Sequence, residues 1–186
     1  MIVADHLTPC QSLSGELRGE AAELVVDAMS ALYDPIRSNI VPILASEFLL
    51  PESELGDGLA LLGPGVEGLV AHYPAEELAQ RQRASLHHSL GGLDSAAARL
   101  LIAQLRREAG MMPNEPAYGQ YIARFAIPPS ARGTGVSDRL LALFAVGRPA
   151  ISLHVRTSNL RAIGFYRRHG FVEAGKSDEF LLMTRS

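Results

Sequence analysis

Arg132-Gly133-Thr134-Gly135-Val136-Ser137 is the stretch that decides how this chain is read. An apolar run from Tyr118 to Ile127 precedes it and is halted by Pro128-Pro129. A stretch with helical apolar spacing, Val136 to Val146, follows it. The order is therefore strand, glycine turn, helix. Gly133 and Gly135 allow positive φ and let the backbone approach a ligand closely. The first N–H groups of the helix lack partners within it and lie at the positive end of its dipole. Such a turn suits an anion, a phosphate above all, and Arg132 adds a charge-assisted donor. The same residues also suit a plain glycine-assisted helix start, and the glycines alone do not choose between the two. The turn lacks the closing Gly-Lys-Ser/Thr of a P-loop. It also lacks the third glycine and the later acid of a dinucleotide fingerprint.

Working outward, Ile151 to Val155 reads as a β-branched strand. A helix begins at Asn159 and runs to about His169, where Gly170 stops it. Phe171 to Ala174 and Glu179 to Thr184 read as closing strands. Upstream, Ile2 to Leu7 forms a short first strand. Ser12 or Ser14 caps a helix reaching about Tyr33. Asp34-Pro35 opens a second helix, which Pro42 is expected to kink or end. Gly58 to Gly63 and Val66 to His72 flank the turn Gly63-Pro64-Gly65 as an antiparallel hairpin. A helix opened by Pro74 runs to about Leu90, and Asp94 caps another from Ser95 to Glu108, with Gly110 as its C-cap. Residues 74–110 thus form a helical hairpin between the third and fourth strands. The pattern is α/β: a mixed, mainly antiparallel sheet flanked by helices.

Tyr118-Gly-Gln-Tyr-Ile-Ala-Arg-Phe-Ala-Ile-Pro-Pro-Ser-Ala-Arg-Gly-Thr-Gly-Val-Ser resembles the central strand and pyrophosphate loop of the GNAT superfamily of N-acetyltransferases. Their loop pattern is Gln/Arg-x-x-Gly-x-Gly/Ala. Arg132 and Gly135 match its first two fixed positions, and Ser137 stands where Gly or Ala is usual. A second block lies at family-like spacing. Ile151 to Asn159 resembles the next strand and its terminal Asn, and Arg161-Ala-Ile-Gly-Phe-Tyr166-Arg-Arg-His-Gly170-Phe171 resembles Ala-Ile-x-x-Tyr-x-x-x-Gly-Phe.

The resemblance implies a GNAT-like fold over a single domain, residues 1–186, with its cofactor core at 118–184. It implies that acetyl-CoA is the cosubstrate and an amine the acceptor, with direct transfer in a ternary complex. By carry-over, the amides of Gly133, Thr134, Gly135, Val136 and Ser137 bind the coenzyme A pyrophosphate with Arg132. The backbone of Phe125, Ala126 and Ile127 pairs with the pantetheine arm. Asn159 bonds that arm, and Tyr166 protonates the leaving thiolate. A splay between the strands at Phe125 and Val155 is expected to admit the arm. The alternative reading is a non-catalytic acyl-CoA-binding or sensing module on the same fold.

That alternative is fed by the central strand, which holds no carboxylate or histidine to act as a base. Glu67, His72 and His154 are candidates on neighbouring strands, each read as an exposed or structurally bonded side chain. Arg161, Arg167 and Arg168 suit either the 3′-phosphate or a solvated helix face. His87 and His88 are adjacent in a helix and do not face one another.

Bulk properties agree. At 186 residues, 47% hydrophobic and 20% charged, the composition is that of a soluble globular domain. No apolar run reaches the length of a membrane span and no secretory layout opens the chain, so the expected location is cytoplasmic. The one cysteine, Cys10, forms no intrachain disulfide and reads as a bland thiol. A net charge of −3 hides an acidic first part, residues 1–117, and a basic remainder that suits a phosphorylated ligand. No His/Cys/Asp/Glu spacing suggests a metal, and no basic run with aromatics suggests nucleic acid. A homodimer is left open.

Overall fold

A computed structural model describes residues 6–108, 111–113 and 119–186. The described strands are β1 (Thr8–Pro9), β2 (Leu59–Leu62), β3 (Val66–Pro74), β4 (Gln120–Ala126), β5 (Ile151–Arg156), β6 (Val172–Lys176) and β7 (Phe180–Arg185). They form one sheet in the order β1-β2-β3-β4-β5-β7-β6. Every pairing is antiparallel except β4 with β5. The described helices are α1 (Gly15–Ala28), α2 (Ser30–Tyr33), α3 (Arg37–Glu47), α4 (Leu78–Gly92), α5 (Ser95–Glu108), α6 (Val136–Ala145) and α7 (Leu160–Arg168). This is the expected α/β architecture, with α4 and α5 inserted between β3 and β4.

Alternation along the strands divides the core into two layers. Ala60, Leu69, Ala71 and Ala126 pack with Ala21, Val25, Ile40 and Leu44 of α1 and α3. Leu61, Val70, Ile122 and Leu153 pack on the opposite face with Leu140, Leu141, Phe144 and Ile163 of α6 and α7.

Several expectations shift in detail. The strand expected over Ile2 to Leu7 falls mostly outside the described residues, and the first described strand begins at Thr8. Gly110 and Tyr118, expected as a cap and a strand start, also lie outside them. Ser14 caps α1 by accepting from the Leu17 N–H. That helix stops at Met29 (φ −122°, ψ 37°) rather than reaching Tyr33. The break turns Leu32 and Tyr33 into the interior through a separate short helix. Pro42 neither ends nor interrupts α3, which continues to Glu47. Its ring sits on the exposed side of the helix, as does Ser38, whose carbonyl would otherwise accept from residue 42.

Candidate active site

The glycine turn has the conformation its sequence calls for. Gly133 has φ +82° and Gly135 φ +87°, the latter capping α6 in the left-handed region. A Cβ built on either would meet no atom within 4 Å. These glycines therefore serve backbone shape and leave open space in front of the chain. Thr134 is exposed and its hydroxyl donates to the Ala131 carbonyl at 2.7 Å. The helix ladder begins with the Arg139 N–H donating to Gly135 O at 3.0 Å. The N–H groups of Val136, Ser137 and Asp138 precede it and have no acceptor within the helix. Arg132 is exposed beside them.

Next to the turn the sheet opens. β4 and β5 pair at Gln120↔Ile151, Tyr121↔Ser152 and Ile122↔Leu153, and pairing stops there. Beyond that point β4 is held only by β3, and β5 only by β7. The backbone of Phe125 and Ala126 thus has one edge without a strand. The register of β3 against β4 also shifts between Ala71 and His72, so that Ala123 is an extra residue with no partner across. Such a bulge bends its strand and reverses the alternation of side chains. Tyr121 and Arg124, three apart, come to share one face, while Ile122 and Phe125 share the other.

Tyr166 stands on the Phe125 side of this opening. Its ring lies 6.2 Å from that of Phe125, 5.2 Å from Phe165 and 5.3 Å from Phe171. Burial pushes its phenol well above the ordinary value, so it keeps its proton at neutral pH. Asn159 caps α7, its Oδ1 accepting from the Ala162 N–H at 3.1 Å. Its side-chain N–H groups are not used by that cap.

On the Arg124 side lies a cavity of about 450 Å³. Leu32, Leu44, Leu55, Leu101 and Leu105 make much of its wall, and its polar lining includes Tyr33, Glu47, Glu54, Ser85, Glu108, Tyr121, Arg124 and His154. Glu54 Oε2 accepts from Arg124 at 2.9 Å and its Oε1 accepts from the Tyr73 hydroxyl at 3.1 Å. Arg124 Nη1 donates to the Ala123 carbonyl at 2.7 Å, so one guanidinium ties Glu54 to the bulge. Arg124 Nε is buried without an acceptor. Ser85 accepts from the Glu54 N–H at 2.7 Å and donates to Glu47 at 2.5 Å. Glu47 is 2% exposed, and burial pushes its carboxyl up to about 7. Burial likewise pushes the Tyr33 hydroxyl up to about 12.

Of the three base candidates, only His154 reaches this cavity. Its Nδ1 lies 3.0 Å from the Tyr121 hydroxyl and its Nε2 3.3 Å from the Pro113 carbonyl. His72 is on the other face, against Phe144, with Nδ1 2.7 Å from Gln120 Oε1. The Glu67 carboxylate lies against Gly63, where a Cβ would collide with it. Arg167 pairs with Glu173, and His88 bonds Ser46 at 2.9 Å rather than His87. Cys10 is fully buried. Among the described residues no cluster of His, Cys, Asp or Glu could hold a metal, and no helix is long and apolar enough to cross a membrane.

Sequence reading passed over Glu47, Glu54 and Arg124. For Glu47 a signal was present. It follows Ile40 and Leu44 at helical spacing and precedes Phe48, which places it on the buried stripe of α3. For Arg124 there was none, because strict alternation puts it opposite Tyr121 and only the bulge brings them together.

Comparison with known proteins agrees with this architecture. The model of the acetyltransferase (GNAT) domain matches residues 96–173. A crystal structure described as an acetyltransferase superposes with TM-score 0.64 at 19% identity, covering 94% of this chain and 97% of that one. An N-acetyltransferase from Staphylococcus aureus Mu50 gives 0.64 at 17% identity, covering 92% and 96%. The PaiA N-acetyltransferase from Thermoplasma acidophilum, in complex with coenzyme A, gives 0.52 at 13%, covering 97% and 98%. With a glycine turn at a helix start and a sheet parted beside it, the chain has a GNAT-like fold, and residues 96–173 are similar to the acetyltransferase (GNAT) domain.

Proposed function

We propose that this chain is an N-acetyltransferase that moves an acetyl group from acetyl-CoA to an amine by direct transfer in a ternary complex. One observation carries the reading. The gap where β4 leaves β5 has the open glycine turn and Tyr166 toward one face of the sheet and a cavity with carboxylates on the other. Two substrates can therefore approach one point from opposite sides.

The residues present fit acetyl-CoA. The turn has room for a diphosphate, the amides at the start of α6 face that room, and Arg132 is exposed beside them. The free edge at Phe125 to Ile127 can donate and accept along a pantetheine arm, and the Asn159 side-chain N–H groups are available to it. When bound, acetyl-CoA supplies an electrophilic thioester carbonyl and a thiol leaving group. Tyr166, protonated at neutral pH and packed against Phe125, delivers a proton to the departing sulfur.

A sensing module on the same fold would need no base. Here the carboxylates missing from the central strand are provided by α3 and the segment after it, at the cavity wall. That arrangement favours catalysis. Replacing Tyr166 with Phe should lower turnover by about a hundredfold while the affinity for coenzyme A, read by calorimetry, stays the same. Unchanged turnover would remove Tyr166 from the acid role. Coenzyme A binding with no thiol release from any amine would return the chain to the sensing class.

A further inference from the structure

We propose that the cavity beside β4 selects the acceptor: a monoamine carried on an apolar, uncharged body, its ammonium received by Glu47 and Glu54. This rests on the acetyltransferase reading above and narrows it to a substrate class.

The charge count along the wall sets the number of cations. Among the described residues three carboxylates line the cavity: Glu47, Glu54 and Glu108. Arg124 holds Glu54, and Arg156 holds Glu108. Glu47 is bonded by the Ser85 hydroxyl and the Leu55 backbone, with no cation in contact. Above about pH 7, where Glu47 is ionised, one negative charge is left over among the described lining residues, enough for one ammonium. A second ammonium would have to lie among Leu32, Leu44, Leu101 and Leu105, where the one further described carboxylate, Glu108, is already paired with Arg156. A polyamine is disfavoured on this ground. An amino acid is disfavoured because its carboxylate would meet Glu47 and Glu54, and Arg124, the only guanidinium among the described lining residues, already bonds Glu54 and the Ala123 carbonyl.

Shape agrees with charge. A cavity of about 450 Å³ whose apolar wall is largely leucine suits an aromatic or alkyl body, which gains by leaving water. Glu54 is tied through Arg124 to the bulge at Ala123, the point where β4 leaves β5. An amine held there stands next to the gap. Its proton must leave before the nitrogen attacks, and Glu47, a carboxylate, can take it: ammonium plus carboxylate become neutral amine plus carboxylic acid.

The test uses the full chain with acetyl-CoA and follows thiol release for 2-phenylethylamine, hexylamine, spermidine and phenylalanine. The two monoamines should exceed the other two in kcat/KM by about tenfold or more. Glu47→Gln should raise the KM for 2-phenylethylamine about tenfold and leave the calorimetric Kd for coenzyme A unchanged. Leu105→Trp, which fills the cavity without touching charge, should do the same. Spermidine or phenylalanine turned over as well as the monoamines overturns the proposal while leaving the acetyltransferase reading intact. So does an unchanged KM in both variants. Failure of coenzyme A to bind overturns the acetyltransferase reading itself, and the substrate class with it.

Discussion

The two sides of the sheet opening are built by different means. On the side proposed for the cofactor the available groups are backbone amides at the start of α6 and a free strand edge at Phe125 and Ala126. These depend on a few consecutive residues, and two glycines with positive φ provide most of the shape. On the side proposed for the acceptor the groups are side chains that converge from α2, α3, α4, β4 and β5, far apart in the chain. A backbone site is a local property and is written in local sequence. A side-chain site is a property of packing, and it exists only once distant segments meet.

The contrast can be broken most sharply at the ion pair. Arg124→Met leaves Glu54 buried without its cation and should cost about 3–5 kcal/mol in denaturant unfolding, whereas Arg124→Met with Glu54→Leu should recover most of the loss. A small loss in the single variant would mean that the acceptor side is not held by this pair.

Glu47 gives the next largest effect, and its sign is determined by burial. Its carboxyl is raised from 4.5 to about 7 in the folded chain. The folded state therefore holds this proton more tightly than the unfolded state. Its contribution is fully present below pH 4.5 and is lost as pH rises through about 7. Over that window Glu47 should cost the native state about 3 kcal/mol, and the Glu47→Gln variant should lack that part of the pH dependence in unfolding midpoints. An identical pH profile in both proteins would place Glu47 in water.

The cofactor side should answer differently. Gly135→Val forces a β-branched residue into the left-handed region without a steric clash of its Cβ. Coenzyme A affinity should fall about tenfold, with little change in the overall fold by circular dichroism. An unaltered Kd would show that the turn does not hold the phosphates. The smallest effect belongs to Asn159→Ala. Loss of the α7 cap should cost about 1 kcal/mol of stability, measured by chemical unfolding.

Much of the architecture was legible in the residues. Helix caps at Ser14, Asp94 and Asn159 stand where their types announce them, each accepting backbone N–H groups. The hairpin around Gly63-Pro64-Gly65 and the inserted pair α4 and α5 also follow from periodicity and turn residues. Where expectation failed, a tertiary effect outweighed a local preference. Pro42 is tolerated because its side of α3 faces water, and α1 stops at Met29 so that Leu32 and Tyr33 turn inward.

The chain by itself determined the order of elements, the glycine turn at the start of α6 and the position of Tyr166, because φ preference, capping and apolar period act over a few neighbouring residues. Only the tertiary structure decided where β4 leaves β5, that one extra residue at Ala123 brings Arg124 onto the face of Tyr121, and that Glu47 and Glu54 meet beside it. Those outcomes depend on register and on the burial of charge between segments remote in sequence, and neither quantity exists until the chain has packed.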